Sequence, residues 1–90
     1  MRLLVVEDEK KLCDMIAKSL HQSGYEVDVC NDGEEALDMI YAEMYDLIVL
    51  DLNLPGVDGM EILRELRKED EETKVLILSA RSQIADKIEG

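Results

Sequence analysis

The sequence predicts an α/β fold built on a doubly wound parallel sheet, and three observations carry that reading. Leu3-Leu4-Val5-Val6, Leu47-Ile48-Val49-Leu50 and Val75-Leu76-Ile77-Leu78 are short apolar runs without alternation. Such runs are what strands covered on both faces require. Stretches with helical spacing of apolar residues separate them. Strict strand–helix alternation then implies right-handed crossovers and a sheet wound from both sides. Ninety residues suffice for one such core, burying roughly 60–65% of the extended chain's surface.

In chain order, the first apolar run gives a strand over Leu3–Val6. Cys13, Ile16, Ala17 and Leu20 follow at i, i+3, i+4 and i+7, one face of a helix that Gly24 stops. Tyr25-Glu26-Val27-Asp28-Val29 alternates, which suits an edge strand with one wetter face. Ala36, Leu37, Ile40 and Met44 form a second helical stripe, opened by Asp32 with Glu35 three residues on, the spacing of a capping box. After the strand at Leu47–Leu50 comes a third stripe, Ile62, Leu63 and Leu66, opened by Asp58 and Glu61 in the same relation. The strand at Val75–Leu78 leads into a fourth helix from Ser82, with Ile84, Ala85 and Ile88 on one face. The acidic run Glu69-Asp70-Glu71-Glu72 reads as the solvated end of the third helix rather than as a docking patch.

Composition excludes several function classes. Ten Lys and Arg against twenty-two Asp and Glu leave a net charge of -12, which opposes contact with a phosphate backbone. Three Tyr with no Trp or Phe offer no platform for stacking bases. No apolar stretch approaches the ~18 residues of a membrane span, and no signal peptide opens the chain. Cys13 and Cys30 read as reduced, packed thiols rather than as a disulfide or metal site. The expectation is a cytoplasmic protein that touches neither nucleic acid nor membrane through this segment.

The chemistry lies at the strand ends. In open α/β sheets ligands bind beyond the carboxyl ends of the strands. There the first strand runs into Glu7-Asp8, the third into Asp51 with Asn53 two residues on, and the fourth into Ser79. Singly, each acid could cap a helix, Asp8 above all. Three acids at one sheet edge instead call for a cation, and hard oxygen donors with room for water favour Mg²⁺.

Glu7-Asp8, the segment from Leu47 through Asp51-Leu-Asn-Leu-Pro-Gly56, Asp58-Gly59 and the strand-ending Ser79-Ala80 together resemble the receiver domain of a two-component response regulator. The resemblance runs over all ninety residues and is nearest to the transcription factors with a winged-helix DNA-binding domain. It implies a flavodoxin-like receiver fold with sheet order 2-1-3-4-5. It also implies that Asp51 accepts a phosphoryl group from a sensor histidine kinase. Asp8, Asp51 and the Asn53 carbonyl would hold Mg²⁺, with Glu7 reaching it directly or through water. Ser79 would bind the acyl phosphate, and Asn53 and Arg81 would tune its hydrolysis. Pro55 and Gly56 fit a type II turn, Pro presetting φ and Gly allowing φ > 0, which would shape the loop beside Asp51.

The family pattern continues into a fifth strand, ending in a Lys that clamps the phosphoryl group, and a fifth helix. These ninety residues hold neither, and no Lys here stands in by position: Lys74 begins a strand and Lys87 falls in the fourth helix. The chain therefore reads as a truncated receiver, residues 1–90, with DNA contact left to an effector domain outside it. It is expected to self-associate through the bare fourth strand or by exchange of its last helix. Two other classes stay open: a structural or interaction segment without chemistry, and a haloacid-dehalogenase-like aspartyl phosphatase. The latter would want a second acid where Asn53 stands. A flavin-binding domain is disfavoured because no Ser/Thr-rich phosphate loop follows the first strand.

Overall fold

The computed structural model describes residues 1–54, 57–70 and 72–78. Its elements are β1 (Arg2–Val6), α1 (Lys10–Gln22), β2 (Glu26–Cys30), α2 (Gly33–Ala42), β3 (Leu47–Asp51), α3 (Gly59–Glu69) and β4 (Lys74–Leu78). The four strands form one parallel sheet in the order β2-β1-β3-β4, the start of the expected receiver order. The expected fourth helix, with Ser82, Ile84, Ala85 and Ile88, lies outside the described residues, as do Pro55, Gly56, Ser79 and Arg81.

Side-chain alternation divides the core between the two faces of the sheet. Val5 and Val49 point to one face, where Cys13, Ile16 and Leu20 of α1 cover them. Leu4, Val6, Ile48 and Leu50 point to the other, packed with Ala36 of α2 and Ile62 and Leu66 of α3. Each aliphatic side chain buried this way stabilises the fold by about 1.5–3 kcal/mol, so the central strands β1 and β3 anchor it. The edges differ. Alternating β2 keeps Glu26 exposed, as its sequence suggests, but Val29, on the face with Val27, is exposed as well. On β4, apolar from Val75 to Leu78, Leu76 is 53% and Ile77 41% exposed.

Helix boundaries follow their caps. Gly24, at φ +98°, ends the turn after α1, and its N–H donates to the His21 carbonyl. Asp32 caps α2 by accepting the Glu35 N–H at 2.8 Å, as its spacing predicts. At α3 the pattern is different: the Asp58 carboxylate takes the Met60 N–H, while the Glu61 side chain pairs with Arg64. The second stripe runs two residues past the helix it marks. α2 stops at Ala42, Met44 is 86% exposed, and Tyr45 takes the buried place instead. Tyr45 can do so because its hydroxyl donates to Asp28 at 2.7 Å while Arg2 lies over its ring. The acidic run also does more than meet solvent. The Asp70 carboxylate accepts from the N–H groups of Glu72 and Thr73 and from the Thr73 hydroxyl, turning the chain into β4.

Candidate functional site

Register brings the acids together. Val6 pairs with Leu50 across the parallel β1–β3 ladder, so the next residues, Glu7 and Asp51, stand side by side at the strand ends. Carboxylate oxygens of Glu7, Asp8 and Asp51 all lie within 4.8 Å of one another. Glu7 and Asp51 are buried and Asp8 is exposed, so the cluster opens to solvent on one side. Asp8 is not a helix cap, the alternative its position allows: α1 takes Glu9 as its N-cap, with no side-chain cap bond.

Backbone donors orient two of the three acids. Glu7 Oε1 accepts the Glu9 N–H at 3.0 Å, and Asp51 Oδ1 accepts the Asn53 N–H at 3.0 Å. Among the described residues no Lys or Arg forms an ion pair with any of the three. Burial, reinforced by the charge of Asp51 and hydrogen bonding with Asp8 and Asp51, pushes the Glu7 carboxyl up to about 7 against the pull of the Glu9 N–H. Glu7 near neutrality is thus poised between holding a proton and serving as an anionic ligand. An all-oxygen set of three acids, open on one side and without a counter-charge among the described residues, fits a hard divalent cation. Glu7, Asp8 and Asp51 could hold it directly, and exposed Asn53 lies in the bend that follows β3.

Glycines fit the loops around the cluster. A Cβ on Gly59 would fall 2.6 Å from both the Asp51 carbonyl oxygen and Leu52 Cα, so α3 starts directly against the peptide after Asp51. A Cβ on Gly33 would fall 2.4 Å from the Val57 carbonyl oxygen, which brings α2 equally close to the β3–α3 loop. One residue that sequence reasoning passed over also reaches the site. Asn31, just beyond β2, donates its side-chain amide to the Glu7 carbonyl at 2.9 Å. Only the strand register, which sets Asn31 opposite Glu7, could have signalled it.

The model of the response regulator receiver domain matches residues 3–90. The chain belongs to the receiver domain family. Among curated relatives, the transcriptional regulatory protein TctD of Salmonella typhimurium is 46% identical over 90 residues, all of this receiver but 40% of TctD. The receiver thus spans about two fifths of that relative's length. Among solved structures, the Thermotoga maritima response regulator TrrA in complex with Mg²⁺-BeF is 39% identical with a TM-score of 0.83, over 88% of this receiver and 69% of that chain. The structure of the histidine kinase ThkA in complex with TrrA gives 39% identity and a TM-score of 0.81, over 88% and 68% of the two chains.

Proposed function

We propose that this receiver accepts a phosphoryl group on Asp51 from the phosphohistidine of a sensor histidine kinase. The observation that carries the reading is the convergence of Glu7, Asp8 and Asp51 within 4.8 Å at the strand ends. In the transfer the N–P bond on the kinase histidine breaks and an O–P bond forms on an Asp51 carboxylate oxygen. The leaving imidazole keeps the electron pair and takes a proton from solvent. The Asn53 N–H fixes the rotation of the Asp51 carboxyl, so its nucleophilic oxygen is oriented before the donor arrives. Asp8, Asp51 and the Asn53 carbonyl would hold Mg²⁺, with Glu7 as direct or water-mediated ligand. When bound, the cation neutralises charge on the transferring group and on the acids. Ser79 would bind the acyl phosphate, Asn53 and Arg81 would flank it, and Pro55 and Gly56 would shape the adjoining loop.

The TrrA structures, one with Mg²⁺-BeF and one with the kinase ThkA, support the cofactor and the partner. The match to 40% of the length of TctD, a transcriptional regulatory protein, supports residues 1–90 as a receiver domain, with DNA contact left to a separate effector domain. The net charge of -12 is consistent with a receiver that leaves DNA to that domain. Among the described residues no helix is long and apolar enough to cross a membrane, in keeping with a cytoplasmic role. The exposure of Leu76 and Ile77 on β4 supports self-association through that strand; the exchanged last helix lies outside the described residues.

Incubation with acetyl phosphate and Mg²⁺ tests the reading. The expected product is a hydroxylamine-sensitive phosphoryl group on Asp51, absent in Asp51→Asn and formed without sustained phosphate release. Continuous turnover would favour a phosphatase. Absence of any Asp51 label would favour a segment without this chemistry.

A further inference from the structure

We infer that Asn31 is a positioning residue for the cation site, clamping the peptide bond that joins Glu7 to Asp8; this rests on the phosphoacceptor reading above. The β1–β2 ladder pairs Val6 with Cys30, and the Glu7 N–H still donates to the Cys30 carbonyl at 3.0 Å. In a regular parallel ladder the next rung would bring a backbone N–H of β2 to the Glu7 carbonyl. The chain instead leaves the sheet here: the Cys30 thiol turns onto the Asp32 carbonyl, and Asp32 starts capping α2. The Asn31 side-chain amide supplies the missing donor, at 2.9 Å from the Glu7 carbonyl oxygen.

That carbonyl belongs to the Glu7–Asp8 peptide, so the bond fixes the plane from which both acids project. Glu7 is consequently held at its N–H by Cys30, at its carbonyl by Asn31 and at its carboxylate by the Glu9 N–H. Asp8 is exposed and outside the helix cap, so the peptide that precedes it depends on this bond for its restraint. Like other groups that hold metal ligands without touching the metal, Asn31 acts on affinity through geometry.

The test is calorimetric titration of Mg²⁺ into the wild-type chain, Asn31→Leu, which keeps the shape and loses the donor, and Asn31→Gln, which keeps an amide donor. Thermal melts in EDTA establish that each variant is folded at the titration temperature, and Asn31→Ala replaces the Leu variant if that one is not. The expected result is Mg²⁺ binding about tenfold weaker in Asn31→Leu, restored toward wild type in Asn31→Gln. Unchanged affinity in the folded Leu or Ala variant overturns the clamp and leaves the phosphoacceptor reading standing. The same holds if Asn31→Gln binds as weakly as the donor-free variant. No Mg²⁺ binding by the wild-type chain overturns both.

Discussion

Replacing Glu7 with Gln should stabilise the metal-free receiver above neutral pH and remove a pH dependence that the native residue imposes. Burial and the nearby Asp51 charge raise the Glu7 carboxyl from 4.5 to about 7 in the folded chain. Below pH 4.5 both folded and unfolded chains hold this proton. Between 4.5 and about 7 the unfolded chain releases it and the folded chain keeps it, so stability falls as pH rises through that window. At about 1.4 kcal/mol for each tenfold change in proton affinity, the loss at pH above 7 is about 3 kcal/mol, a large share of a small domain's stability. Glu65, held ionised by Lys68, and Asp70, held ionised by the Thr73 hydroxyl, are shifted the opposite way. Their contributions are lost only as pH falls below 4.5 and 3.8 respectively, outside the Glu7 window. Urea denaturation in EDTA from about pH 5 to about pH 8 isolates the effect. The wild-type chain should lose stability across that range while Glu7→Gln stays nearly level and becomes the more stable at the upper end. Parallel curves for the two proteins would refute the reasoning.

Gly59→Ala would drive a methyl group to 2.6 Å from the Asp51 carbonyl oxygen and Leu52 Cα, and urea titration should show a loss of about 1–3 kcal/mol. Tyr45→Phe removes the 2.7 Å bond to Asp28 and should cost about 1.5 kcal/mol in the same assay, since the lost acceptor is charged. Leu76→Lys places a charge on the exposed apolar edge of β4, and sedimentation should show weaker self-association than in the wild-type chain; an unchanged distribution would remove β4 from the interface.

The parts of the molecule legible in the sequence are those set by local pattern. The apolar runs ending at Val6, Leu50 and Leu78 mark three strands, while the order in which they lie in the sheet was legible only through the resemblance to a receiver. Glu7, Asp8 and Asp51 then fall together because parallel strands in register end at the same edge. Met44 and Tyr45 were harder, since both are apolar and adjacent; only the Asp28 and Arg2 partners on other strands decide which one is buried. Asn31 and Gly33 carry no local signal of their roles. Their partners, the Glu7 carbonyl and Val57, are far along the chain and meet them only after the sheet has formed.

The central claim, that Glu7, Asp8 and Asp51 form one cation site, is tested most directly by thermal melts of the wild-type chain and Asp8→Ala with and without Mg²⁺. A cation bound only by the folded cluster must raise the melting temperature, and the stabilisation grows with the logarithm of free Mg²⁺ above its dissociation constant. The account expects a Mg²⁺-dependent rise in the wild-type chain that Asp8→Ala abolishes while remaining folded in EDTA. An undiminished rise in Asp8→Ala, or no rise in the wild-type chain at saturating Mg²⁺, would contradict it.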